Sequence, residues 1–285
     1  MQALWMILAA LLFSTMAVGV KFASADFSTA QIVCYRGIIG VVCIAGLMRA
    51  QGIRFRTPVF KMHLGRSIAG VLSLGGWFYA IAHLPLATAM TLNYMSSLWV
   101  AAFVVGSAML YGQAQRQGAL LATVLLGFVG VVLTLRPAID KNQLFAGLVG
   151  LIASLFAALA YVQVSALGKA GEPEARTVFY FSAVTALAGG LCIPLFDVTP
   201  LAQLGWHAWG WVLAVGVLAA LAQLCLTRAY SQGPTLVVAN LQYSGIVFGA
   251  LYSLLLFGEQ LVPMGWTGIA MIVVCGVAAT ALRAR

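Results

Sequence analysis

Apolar runs of about 20 residues recur along the whole chain, and no other feature constrains its fold as strongly. They lie at roughly 3–22, 28–48, 65–83, 87–110, 118–135, 144–167, 177–196, 208–228, 236–257 and 264–282. A hydrocarbon core ~30 Å thick takes about 20 helical residues to cross. Inside it every backbone N–H and C=O must be satisfied by the protein, which leaves helices and closed barrels. The runs are continuous and rich in Leu, Ala, Val and Gly, without the alternation of a barrel strand. The sequence therefore predicts an all-α membrane protein with ten transmembrane helices. Composition agrees: 7% of residues are charged, against roughly 25% in soluble domains.

Fifteen Lys and Arg face six Asp and Glu, a net charge of +9. The basic residues sit between apolar runs rather than in a stripe that could follow a polyanion, which excludes nucleic acid as a partner. They act instead as topology signals. Arg49, Arg54, Arg56, Lys61 and Arg66 crowd the loop after the second run and place it in the cytoplasm. Alternation then puts Arg116, Lys169, Arg176, Arg228, Arg283 and Arg285 inside as well, and an even number of spans puts both termini there. The far side keeps Arg136 and Lys141 with Asp26, Asp140, Asp197 and Glu259. Ala23-Ser24-Ala25 has the A-x-A form of a cleavage site, but no Lys or Arg precedes the apolar stretch, so the first run reads as an uncleaved helix. The five cysteines are scattered singly inside apolar runs, without metal-ligand spacing.

The second half of the chain can be laid over the first. Residues 70–99 fall on residues 216–248 with one gap, setting Thr88 on Thr235, Asn93 on Asn240 and Ser97 on Ser244. Further on, Tyr111–Gln113 meets Phe257–Glu259, and "GVVLTLR" from Gly130 meets "GVAATALR" from Gly276. The repeating unit is five spans. Five is odd, so the second unit enters from the opposite face, giving inverted repeats over residues 1–137 and 144–285.

With "FSTMAVGVKFAS" in the first span, "YRG" at Tyr35–Gly37, "ATAMTLNYMSSLWVAAF" in the fourth and "FGE" closing the ninth, the chain resembles the EamA-type branch of the drug/metabolite transporter superfamily. Within it the chain is similar to the YddG-like amino-acid exporters. The first half departs from the family pattern, reading "YGQ" where Leu-Gly-Glu is usual. The resemblance implies ten helices in a basket around a central cavity lined by spans 1, 3, 4, 6, 8 and 9.

Polar residues at membrane depth are the candidate substrate-binding groups. Asn93, Ser96 and Ser97 are spaced to share one helix face, and Asn240, Tyr243 and Ser244 answer them in the second unit. An interhelical hydrogen bond, worth about 0.6 kcal/mol, is the competing account. Tyr94 flanks the first stripe. Arg36 lies deep in span 2, where a charge is costly. It either holds carbonyls of neighbouring helices or meets a substrate carboxylate, and the resemblance favours the first. Trp77, Tyr79 and Tyr161 lie deep enough to line a cavity, whereas Trp5, Trp206, Trp209 and Trp211 sit near span ends, where interfacial belts form. Gly245 and Gly249 permit a close helix contact. Pro85 and Pro234 stand at comparable bends before spans 4 and 9.

No carboxylate falls at mid-membrane, where ion-driven carriers commonly place one; a uniporter is expected. A Walker A loop, H-E-x-x-H and G-x-S-x-G are all missing from the sequence, which argues against ATP-driven transport and against a membrane hydrolase. The reading is a carrier, not an enzyme, of the bacterial inner membrane. It exports amino acids or similar small amphipathic metabolites by alternating access. It needs no cofactor or metal, sits in the lipid bilayer, and acts as a monomer or weak homodimer. The alternative is a proton-coupled transporter of nucleobases, S-adenosylmethionine or cationic drugs.

Overall fold

The computed structural model describes residues 2–110, 122, 125–126, 129–130, 133, 141–195, 204–233, 235–258 and 263–283. Its helices are α1 (Gln2–Ala23), α2 (Thr29–Ala50), α3 (Phe60–His83), α4 (Leu86–Tyr94), α5 (Ser96–Leu110), α6 (Lys141–Lys169), α7 (Glu174–Cys192), α8 (Trp206–Gln232), α9 (Thr235–Leu241), α10 (Ser244–Phe257) and α11 (Pro263–Arg283). A 3₁₀ turn, Ile193–Leu195, extends α7. Among the described residues there is no strand. Most of span 5, with the Tyr111–Gln113 segment, lies outside the described residues.

Six helical stretches among the described residues are long and apolar enough to cross a bilayer: Leu4–Ala23, Thr29–Ala50, Gln143–Lys169, Glu174–Leu195, Trp206–Gln232 and Val237–Phe257. Helix α3 is not one of them, because Lys61, His63, Arg66, Ser67 and Ser73 dilute its apolar residues. Large aliphatic side chains cover the outside: Val42, Leu191 and Leu255 are 68%, 70% and 73% exposed. So much outward apolar surface suits lipid and not water. The chain is a multi-pass membrane protein.

Local chemistry sets the helix ends. Ser28 caps α2 in a capping box, accepting from the Gln31 N–H while its own N–H donates to Gln31 Oε1 at 2.9 Å. Gly258 ends α10 in the left-handed conformation, φ 59°, which glycine adopts without strain. That accounts for the glycine of the "FGE" segment.

Two of the expected spans are not continuous. Residues 87–110 divide at Met95, where the Met95 N–H donates to the Leu92 carbonyl at 3.1 Å and the Leu98 N–H to the Met95 carbonyl at 2.9 Å. Residues 236–257 divide at Gln242–Tyr243, where the Gly245 and Ile246 N–H groups donate to Gln242 at 2.9 Å and Tyr243 at 3.0 Å. Both are one-turn tightenings to i→i−3 bonding with helical backbone angles, such as functional hinges use. The register that sets Asn93 on Asn240 also sets Met95 on Gln242.

The helices pair across the two halves: α1 with α8, α2 with α7, α3 with α6, and α4 with α10. Small residues bring them together. A Cβ at Gly37 would overlap the backbone of Ala186, and one at Gly189 the backbone of Cys34. Gly245 and Gly249 do the same for α10, making room for Tyr94 and Met90 of α4.

Candidate functional site

A cavity lies among these helices. Helix α3 supplies one face of it, Arg66, Gly70, Ser73, Leu74 and Trp77, a stripe about 16 Å long at 1.5 Å per residue. Phe13 comes from α1, Asn93 and Tyr94 from the end of α4, Ala157, Ala160 and Tyr161 from α6, Phe181 from α7, Gln223 from α8 and Gln242 from the α9–α10 turn. Phe181 belongs to span 7, outside the set the resemblance names. The cavity measures about 40 Å³. That is room for two or three waters, far less than the roughly 300 Å³ of a small-molecule pocket. The space as it stands is therefore too small for such a ligand.

Arg66 dominates its chemistry. The side chain is 2% exposed, and its Nη2 donates to Gln223 Oε1 at 3.1 Å. Its guanidinium lies 3.9 Å from the centre of the Phe181 ring. Nε and Nη1 are buried without a partner. Gly70, one turn on, leaves the space Nη1 fills: a Cβ there would collide with Nη1 and with the Phe181 ring. Arg36, 3% exposed, brings a second guanidinium to 5.2 Å from the same ring centre. By sequence Arg66 counts among the topology signals of a cytoplasmic loop. A signal was present: Arg66, Gly70, Ser73 and Trp77 continue one helical face into the apolar run.

The other end of the cavity is built around the helix interruptions. Gln242 Oε1 accepts from Tyr230 Oη at 3.1 Å, and Tyr230 stacks on Tyr161 with ring centres 5.1 Å apart. Ser97 Oγ donates to the Ala239 carbonyl at 2.6 Å and stands 3.2 Å from Gln242 Oε1. The two broken helices are thus joined at their breaks.

Of the residues singled out from sequence, Asn93, Tyr94, Trp77 and Tyr161 line this cavity. Arg36 touches the Phe181 ring but is not among the residues that line the cavity. Ser97 turns to α9, and Ser244 Oγ donates to the Leu241 carbonyl at 2.8 Å. The interruption at Met95 breaks the single helix on which Asn93 and Ser97 would share a face. Tyr243 is buried but does not line the cavity. Tyr79 belongs elsewhere, in an apolar groove with Val71, Phe145 and Cys192, because it lies on the opposite side of α3 from Arg66. The side chain of Asn240 lies outside the described residues. A lone Gln in an apolar run carries no pattern, so the sequence by itself does not point to Gln223.

A second polar cluster lies beyond the first turn of α3. Glu172 accepts from Thr57 Oγ1 at 2.9 Å and from Arg176 Nη1 at 3.0 Å, and its other contact is His63 Nε2 at 3.0 Å. Arg176 Nε donates to the Arg54 carbonyl at 2.9 Å, and Tyr180 Oη to that of Phe55 at 3.0 Å. Burial alone would raise the Glu172 carboxyl, but the bonds from His63, Thr57 and Arg176 outweigh it and hold its pKa below the usual range. This cluster fastens the loop before α3 to the start of α7. Among the described residues no group of three His, Cys, Asp or Glu side chains could hold a metal ion.

Comparison with known proteins decides the family. Residues 144–281 match the EamA-like transporter family. The chain is 37% identical to the pseudopaline exporter CntI of Pseudomonas aeruginosa over 274 residues, 94% of this chain and 92% of that one. This chain belongs to the EamA-like transporter family. It is thereby a transporter of the drug/metabolite superfamily. Another family relative is the riboflavin transporter of Vibrio cholerae, 29% identical over 95% of this chain and 90% of that one. A solved crystal structure superposes with a TM-score of 0.72 at 22% identity, over 99% of this EamA-like chain and 96% of the other, so the fold is shared.

Proposed function

We propose that this protein exports amino acids or closely related small amphipathic metabolites from the bacterial cytoplasm. It does so as a uniporter working by alternating access, with both termini inside. The observation that carries this reading is the convergence of Arg66, Asn93, Gln223 and Gln242 with the rings of Phe13, Trp77, Tyr161 and Phe181 in one cavity. A few polar groups fix a common backbone there, and the aromatic remainder tolerates varied side chains. The 37% identity to a protein named as an exporter supports the direction. Two buried guanidiniums speak against cationic drugs.

The architecture we infer is ten helices in two inverted five-span units, 1–137 and 144–285. Exchanging the units turns the α1–α8 pair into α6–α3 and the α4–α10 pair into α9–α5, and leaves α2–α7 as it is; each pair so generated is in contact, as a two-fold relation requires. A 40 Å³ cavity cannot hold an amino acid, so loading requires the units to part. The tightened turns at Met95 and Gln242–Tyr243 are the hinges in this scheme.

Counterflow of a labelled amino-acid panel, with pseudopaline and riboflavin added, tests the proposal in proteoliposomes. The carried compound should emerge chemically unchanged, with no imposed pH or sodium gradient; consumption of the compound, or a strict need for a gradient, overturns the carrier or the uniport reading. Asn93→Ala should cut flux at least fivefold and leave thermal stability nearly intact. If it loses stability and keeps its flux per folded molecule, Asn93 is packing glue.

A further inference from the structure

Arg66 poses a question that transport of a generic amphipath does not answer. A guanidinium at this depth is among the costliest groups a membrane protein can carry. It persists in proteins when a carboxylate or a full set of acceptors compensates it. Arg66 has one acceptor, Gln223 Oε1, and one ring face, Phe181. Its Nε and Nη1 have none. Glu172, the acid bonded near the start of α3, is already occupied by His63, Thr57 and Arg176. Arg36 adds a second positive charge near the same ring and likewise leaves its Nε unpartnered. The glycine at position 70 leaves the room that Nη1 fills.

We propose that Arg66 is the carboxylate receptor of the transport site, so that the substrate class is restricted to compounds with a free carboxylate. The inference rests on the transport reading above. The substrate carboxylate accepts from the unmatched donors of the guanidinium in charge-assisted hydrogen bonds. Gln223 holds Nη2 and so sets the direction of the guanidinium. Phe181 supports its flat face. The carboxylate supplies the anion that the helices lack, and the loaded carrier is nearer to electrical balance at this depth than the empty one. Selectivity follows from the same asymmetry. A neutral analogue leaves the guanidinium buried and unpaired, and a site built to pair with a group rejects ligands that lack it.

The test compares matched pairs: each of the twenty labelled amino acids against its amide, by counterflow in proteoliposomes. Wild type should carry the acids roughly 10- to 100-fold faster than the amides, as expected for a charge-assisted hydrogen bond of about 1.5–3 kcal/mol. In Arg66→Gln the acid-to-amide ratio should collapse toward one. Arg66→Lys, which keeps the charge but not the fork, should fall between. Gln223→Glu sets a fixed carboxylate beside Nη2 and should abolish the preference for acids, whether or not Arg66→Gln folds. Equal wild-type rates for acids and amides would sink the carboxylate site and leave the carrier standing. So would an Arg66→Gln or Gln223→Glu ratio unchanged from wild type. If wild type carries no member of either set, the amino-acid transport reading fails, and this inference with it.

Discussion

Arg66, buried, and Arg176, half-buried, both lie near the Lys/Arg-rich loop, and the protein treats them in opposite ways. Arg176 donates to both oxygens of Glu172 and to the Arg54 carbonyl. Arg66 touches no acid and leaves two donors unmatched in a cavity. The first arrangement spends every strong interaction within the fold. The second withholds one, and what it withholds is available to a ligand. In a membrane the distinction is sharp, because the surrounding lipid offers an unsatisfied charge no acceptor.

The largest effect should come from breaking the satisfied cluster. Glu172→Ala leaves His63 and Arg176 facing each other without their anion and should cost about 3 kcal/mol, read from unfolding in detergent. Arg66→Met should leave stability unchanged or raise it, since it removes a charge that nothing within the fold balances. The reverse ordering would show that Arg66 is structural and erase the contrast between the two arginines.

Acid should expose the same difference more gently. The Glu172 pKa is held below its unfolded value. The stability it contributes is therefore complete above the unfolded carboxylate value, about 4.3, and is lost as pH falls through the folded value. Thermal melts of wild type should drop in that window, and Glu172→Gln should flatten the drop. A wild-type profile identical to that of the variant would mean that the cluster does not titrate with folding.

The smallest effect belongs to the join between the broken helices. Ser97→Ala removes the bond to the Ala239 carbonyl and should cost about 0.6 kcal/mol, the average for such bonds in membranes. Flux should change more than stability if the breaks are hinges. Equal proportional losses would make Ser97 plain packing.

The sequence reading reached Asn93, Tyr94, Trp77 and Tyr161 because each is a polar or aromatic group set deep in an apolar run, a local anomaly visible without coordinates. It passed over Arg66 because an arginine at the edge of a run looks the same whether it points to the cytoplasm or folds inward along its helix. Tyr79 was included for depth alone, and depth does not say which way a residue faces. The interruptions at Met95 and Gln242 carry neither Pro nor Gly, so nothing local announced them.

What the chain settles on its own is its solvent and its kind: the length and apolarity of each run are matched to a bilayer segment by segment, and family membership is legible in the same letters. Which side chains meet was decided only by tertiary packing. Helix rotation and approach depend on distant partners, such as Gly37 against Ala186 or Gly245 against Tyr94. Those contacts turned Arg66, Gln223 and Gln242, far apart in the chain, toward one small space.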